Sequence, residues 1–201
     1  RHLARAEPSQ IERALQLIAD ELVRRNQEIV EANATDLDRA RKDGLGDHVV
    51  DRLVLDEKRL SIVSEGVRNV ASLPSPVNQE IESRLLPNGI RLSRRRVPLG
   101  VIGVIYESRP NVTADISSLC LKSGNAVILR GGKESINSNV VMAHIIRNCL
   151  RESGLPGDAV QLIKSIDRIV VESMLKMRAH IDLLIPRGGA DLVSRVAAEA
   201  T

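Results

Sequence analysis

The stretch "AVILRGGKES", Ala126 to Ser135, decides how this chain is to be read. A short apolar run with β-branched Val127 and Ile128 reads as a buried strand. It passes straight through Arg130, Gly131, Gly132 and Lys133 into a segment with helical spacing. Such a turn has two meanings. It is a tight corner made by paired glycines, or it is a place where backbone N–H groups at a helix N-terminus hold a phosphate. "IPRGGADLV", Ile185 to Val193, repeats the pattern with Arg187, Gly188 and Gly189. Two such turns on one sheet would frame a cleft for an extended phosphorylated ligand, and their recurrence favours a dinucleotide. The plain reading, in which the glycines only turn corners, stays open beside it.

Working outward, short apolar runs alternate with amphipathic segments from Pro98 onward. "VIGVIY" precedes a helix that ends at Gly124, "AVILR" one that ends at Gly154, and "AVQLI" one that starts near Asp167; "IDLLIP" leads to a final helix. Strands alternating with helices imply βαβ units and a parallel sheet, so the expected class is α/β. Before Pro98 the pattern differs. Ser9 and Glu12 form an S-x-x-E capping box ahead of Ile11, Leu15, Ile18 and Leu22, which predicts the first helix. A second helix is predicted over Asn26 to Lys42, and a third from about Asp56 with Leu60, Val63, Val67 and Val70 on one face. "QEIESRLLPNGIRLSRRR" places extended segments either side of Pro87-Asn88-Gly89 and reads as a β-hairpin. The predicted organisation is an N-terminal helical layer over 1–76, a hairpin over 77–97 and a Rossmann-like region over 98–201.

Composition narrows the partners. The chain has no Phe or Trp and one Tyr, Tyr106, so recognition of nucleic acid by base stacking is not expected. Its 29 basic and 26 acidic residues are too balanced to indicate a polyanion partner. No apolar run reaches the length of a membrane span, and "RHLARAEPSQ" lacks the apolar core of a signal peptide. Cys120 and Cys149 have no metal-ligand spacing and read as reduced, buried thiols in a cytoplasmic protein; the four histidines are scattered, and no metal site is expected.

The familiar nucleotide motifs are absent. A Walker A loop needs G-x-x-x-x-G-K-[ST], but Val127 stands where its first Gly should be and Glu134 follows the Lys. "GVIGVI" around Gly100 and Gly103 does not satisfy G-x-G-x-x-G. "YESRPNVTAD", Tyr106 to Asp115, gathers Glu107, Ser108, Arg109 and Asn111 after the first parallel strand. An Asn amide can stabilise an oxyanion and an Arg fork can bind carboxylate or phosphate, so these types suit acyl chemistry, although loop polarity alone would also account for them. Arg94, Arg95 and Arg96 read as solvated charge on the hairpin.

"RRRVPLGVIGVIYESRPNVTADISSLCLKSGNAVILRGGKES" closely resembles the gamma-glutamyl phosphate reductase family of the aldehyde dehydrogenase superfamily. "GLPGDAVQLI" and "IDLLIPRGGADLV" follow in the family's order, and "ANATDLDRARKDGL" is similar too, so the resemblance covers essentially the whole chain. It implies the Rossmann-like parallel sheet of the aldehyde dehydrogenase fold and NADPH-dependent reduction of gamma-glutamyl phosphate to glutamate-5-semialdehyde, with release of phosphate, in proline biosynthesis. It also implies dinucleotide binding without G-x-G-x-x-G. Arg130 matches a basic position at the adenosine ribose. Lys133, beside Gly131 and Gly132, lies where NAD-preferring relatives often carry Glu, which suits the 2′-phosphate of NADP. Arg187, Gly188 and Gly189 resemble the turn near the pyrophosphate. Asn111 matches the oxyanion Asn, though the flanking Trp and Phe are missing, and Arg109 is the candidate substrate ligand.

By the same resemblance the hairpin helps to build a homo-oligomer, and a glutamate 5-kinase is a further partner. The family's nucleophile stands in a Pro-x-x-Cys-Asn segment that this sequence lacks. The chain is therefore expected to carry the cofactor-side half, without the catalytic domain, and to be inactive alone. The alternatives are a non-enzymatic nucleotide-binding fragment and a scaffold subunit.

Overall fold

In a computed structural model describing residues 3–167 and 169–200, a short 3-10 turn and four α-helices precede the hairpin. Residues 1, 2, 168 and 201 of the expected regions lie outside those described. Helix α1 (Pro8–Arg24) buries Ile11, Leu15, Ile18 and Leu22 against the Leu60, Val63, Val67 and Ala71 face of α4 (Glu57–Ser72). The expected capping box at Ser9 is not used. Pro8 already stands in the first helical turn, where its fixed φ suits the helix and its missing N–H costs nothing, and no side chain caps this end. At α4 the expected start holds, with the Asp56 carboxylate accepting the Arg59 N–H at 2.7 Å. Helix α2 (Asn26–Lys42) has the predicted bounds. Helix α3 (Asp47–Leu53) was not anticipated, because seven residues with one buried apolar side chain carry too little periodicity to be seen.

The hairpin consists of β1 (Glu80–Leu85) and β2 (Arg91–Arg95), antiparallel and exposed along their full length. After it come β3 (Val101–Tyr106), α5 (Val112–Lys122), β4 (Ala126–Arg130), α6 (Ile136–Glu152), β5 (Val160–Leu162), α7 (Ile169–Leu175), β6 (Leu183–Arg187) and α8 (Ala190–Glu199). The strands form one parallel sheet in the order β5-β4-β3-β6. Side chains alternate across β3. Ile102, Val104 and Tyr106 join the large core with α1, α4, α5 and α6, while Ile105 faces the smaller core of Val171, Met174, Leu175, Ile181 and Val196 beneath α7 and α8. The chain steps outward from β3 to β5 and then returns to place β6 on β3's other side. That reversal opens a crevice beyond the strand ends between β3 and β6, the position where open α/β sheets receive ligands.

Candidate functional site

Three strand-to-helix turns meet at this crevice, after β3, β4 and β6, and two glutamates lace them together. Glu134, in the turn after β4, accepts both the Ser108 N–H at 3.0 Å and the Ser108 Oγ–H at 2.6 Å. This clamp holds Ser108 at φ 36°, a left-handed backbone that non-glycine residues seldom adopt. Glu107 reaches the other way and accepts the Gly189 N–H at 2.9 Å, at the start of α8. A carboxylate of the chain itself thus stands at that helix N-terminus, where the macrodipole favours negative charge.

Beneath the turns runs a buried polar chain that begins at the one aromatic ring. Tyr106 is fully buried, and its hydroxyl lies 2.7 Å from Thr113 Oγ1. Thr113 donates to Asn139 Oδ1 at 3.0 Å, and Asn139 Nδ2 donates to Ser135 Oγ at 3.1 Å, just past the Gly-Gly turn. Burial pushes the Tyr106 phenol well above its usual range, so it is neutral at every ordinary pH. Against this layer the two glycines differ in kind. A Cβ at Gly131 would overlap Asn139 Nδ2 and come within 3.0 Å of the Tyr106 ring, whereas one at Gly132 would meet only the flexible end of Glu134. Gly131 is required by packing, and at Gly132 the space is taken by the movable Glu134 carboxylate.

The main cleft here, of about 570 Å³, is lined by Arg130, Gly132, Lys133, Glu134, Asp191 and Arg195 among others. Of the candidates from sequence, it brings together Arg130, Gly132 and Lys133. The Arg130 guanidinium donates to the Ile166 carbonyl at 3.2 Å, and Lys133 lies 3.9 Å from Asp43 with most of its side chain exposed. A second pocket of about 290 Å³ contains Arg109, Arg187, Gly188 and Gly189. Glu107 and Ser108 line both and form the wall between them. Asn111 lines neither; its Nδ2 donates to Asp115 Oδ2 at 2.9 Å across the first turn of α5, and that bond opposes the upward pull of burial on the Asp115 carboxyl. Sequence reasoning missed Arg195, which is paired with Glu172 and Glu199, and the clamp made by Glu134, noticed only as a break in the Walker pattern.

The site has no reactive thiol among the described residues. Cys120 and Cys149 are buried in helices, and burial pushes their thiols up to about 11 and about 12. Both groups hold their protons longer when folded than when unfolded. Their contribution to stability is therefore complete below pH ~9 and is lost as pH rises through the folded values. The melting temperature should stay flat to mildly alkaline pH and fall beyond it, with Cys149→Ala blunting the fall. Both thiols should be silent to a thiol reagent until the chain unfolds, and rapid native-state labelling of either would contradict the burial argument. Among the described residues no cluster of His, Cys, Asp and Glu could hold a metal, and no helix is long and apolar enough to cross a membrane.

With this geometry in place, comparison with known proteins gives a direct result. A gamma-glutamyl phosphate reductase from Shewanella woodyi is 54% identical over 187 residues, covering 93% of this chain and 44% of that protein. The chain is a homologue of gamma-glutamyl phosphate reductase. The crystal structure of the gamma-glutamyl phosphate reductase from Thermotoga maritima superposes with a TM-score of 0.97 at 42% identity, over 99% of this chain and 48% of that one. The chain therefore spans just under half the length of these relatives, and it corresponds to their N-terminal half. The fold extends further: an NAD-dependent aldehyde dehydrogenase from Sinorhizobium meliloti matches 98% of this chain at a TM-score of 0.76 and only 15% identity, which shows the aldehyde dehydrogenase fold. No protein-family model matches the sequence.

Proposed function

We propose that the chain is the cofactor-binding half of a reductase that uses NADPH to convert gamma-glutamyl phosphate to glutamate-5-semialdehyde and phosphate. The observation that carries this reading is the pair of Arg-Gly-Gly turns flanking β3 at the sheet's switch point, in a chain 54% identical to such a reductase. The residues fit a dinucleotide. A Cβ at Gly132 or Gly188 would meet the carboxylate of Glu134 or Glu107, the ends of side chains that can swing aside for a ligand, and Arg130 and Lys133 supply positive charge along one cleft. Bound NADPH would supply a hydride. Arg130 would hold the ribose and Lys133 the 2′-phosphate, swinging away from Asp43. Gly188 and Gly189 would offer backbone N–H groups to the pyrophosphate at the wall between the two pockets once Glu107 yields the Gly189 N–H, while Arg187, expected beside them, lines the smaller pocket. The role of Asn111 at an oxyanion would need its amide to turn from Asp115. The nucleophile on this reading is neither Cys120 nor Cys149, since both thiols are buried and protonated. The exposed hairpin, with Ile81, Leu85, Ile90 and Leu92 uncovered, would pair with another copy of the chain, because a two-stranded sheet is marginal alone. A glutamate 5-kinase would supply the acyl phosphate.

Calorimetric titration tests the cofactor half of the proposal. NADPH should bind more tightly than NADH. Lys133→Glu should weaken NADPH by about tenfold, the lower end for a charge-assisted contact because the side chain is well exposed, and should leave NADH nearly unchanged. Equal losses for both cofactors would remove Lys133 from the 2′-phosphate.

A further inference from the structure

The smaller pocket beyond β3 and β6 collects three arginines from distant parts of the chain. Arg109 comes from the loop after β3 and Arg187 from the end of β6, while Arg52 comes from α3. The placement of Arg52 is built. The buried amide of Asn33 donates to the Leu53 carbonyl at 2.8 Å and accepts the Leu55 N–H at 2.8 Å, so the end of α3 next to Arg52 is pinned to α2. Among the described residues none of the three guanidiniums takes part in an ion pair. The one carboxylate in the lining, Glu107, is committed to the Gly189 N–H, and Asp115 acts on Arg187 only at longer range.

We propose that Arg52, Arg109 and Arg187 form a phosphate subsite, separate from the dinucleotide cleft and divided from it by Glu107 and Ser108. Like charges gathered in one concavity repel unless an anion joins them. Three planar forks offer more donors than a carboxylate can accept, and they match a tetrahedral dianion. The volume, about 290 Å³, is roughly ten times what one water occupies in the liquid, enough for a phosphoryl group and the chain that carries it. On the function proposed above, which this identification of the ligand rests on, the group is the phosphate that leaves the acyl carbon. The shared wall would then set the departing phosphate beside the hydride donor without mixing the two anions. Arg52 is new to the site, and Arg109 and Arg187 gain a common task.

Titration of the chain with inorganic phosphate at fixed ionic strength is the test, with glutarate as the carboxylate arm and NADPH as a separate arm. Phosphate should bind at millimolar concentration and more tightly than glutarate. Arg52→Ala should weaken phosphate by about tenfold or more and leave NADPH within about twofold. Arg52 is exposed and unpaired in this fold, so the variant should keep the parent's circular dichroism and melting temperature, and Arg109→Lys, which keeps the charge but loses the fork, gives a second reading with an intermediate loss. Phosphate binding that Arg52→Ala leaves unchanged, no phosphate binding, or glutarate binding more tightly than phosphate would overturn the subsite. Phosphate binding of the expected pattern without any NADPH binding would sustain it and sink the cofactor reading.

Discussion

Replacing Asp36 by Ala is expected to lower the stability of the chain by about 3 kcal/mol, which for a chain of this size is a fall of roughly 6–12 °C in melting temperature. The Asp36 carboxylate is fully buried, and it accepts from both the backbone and the side chain of Asn137, at 3.2 and 2.8 Å, and of Ser138, at 2.8 and 2.7 Å. No local side chain caps α6; this carboxylate, on α2, serves its first turn instead. Truncation would strand buried donors, each costing about 1–3 kcal/mol when unpaired. Asp36→Asn should be little better, because every partner is a donor. The Ser138 hydroxyl already accepts from Asn33 Nδ2 at 3.1 Å and must point its own hydrogen at Asp36, so an amide there would set donor against donor. Thermal unfolding of the two variants checks this, and a loss below about 1 kcal/mol in both would show that the network is not holding α2 to α6.

Gly131→Ala should be nearly as damaging, at about 3 kcal/mol, whereas Gly132→Ala should cost under ~1 kcal/mol. The added methyl at 131 would press on Asn139 and the Tyr106 ring, both fully buried, so the chain Tyr106–Thr113–Asn139–Ser135 must break or the turn must move. Overpacking of about 1–3 kcal/mol then adds to a polar group left without its partner. At 132 the methyl meets only the end of Glu134, which can swing aside. The loss there should fall on ligand binding, since Ser108 would lose its clamp. Side-by-side denaturant melts and cofactor titrations separate the two effects, and equal stability losses at both positions would refute the division of labour between the glycines.

What could be read in advance was whatever is local. Short apolar runs located the sheet strands, period-3.6 spacing the long helices, and Pro87-Asn88-Gly89 the hairpin turn, because each signal lies within a few residues of what it forms. The helix that carries Arg52 was invisible, because its position rests on Asn33, twenty residues away and unremarkable in sequence. The Asp36 network spans 102 residues, and no window of sequence shows that an acidic residue on one helix caps another. The same limit governs the glycines. The pair at 131 and 132 reads as one motif, yet one faces the core and the other the cleft, a distinction set by Asn139 from α6 and Tyr106 from β3. Arg109 was singled out for its chemistry, but its convergence with Arg52 and Arg187 depends on the sheet order.

The solitary aromatic ring has an optical consequence. With no Trp or Phe in the chain, the near-ultraviolet absorbance and emission come from Tyr106 alone, free of overlapping signals. That ring borders the main cleft and shares its hydroxyl with Thr113 in a fully enclosed setting. Any molecule that enters beside it, or any shift of the turn at Gly131, alters the surroundings of a single chromophore. The protein therefore carries its own spectroscopic reporter at the place where a ligand would arrive, and occupancy can be followed without a dye, a label or an engineered tryptophan.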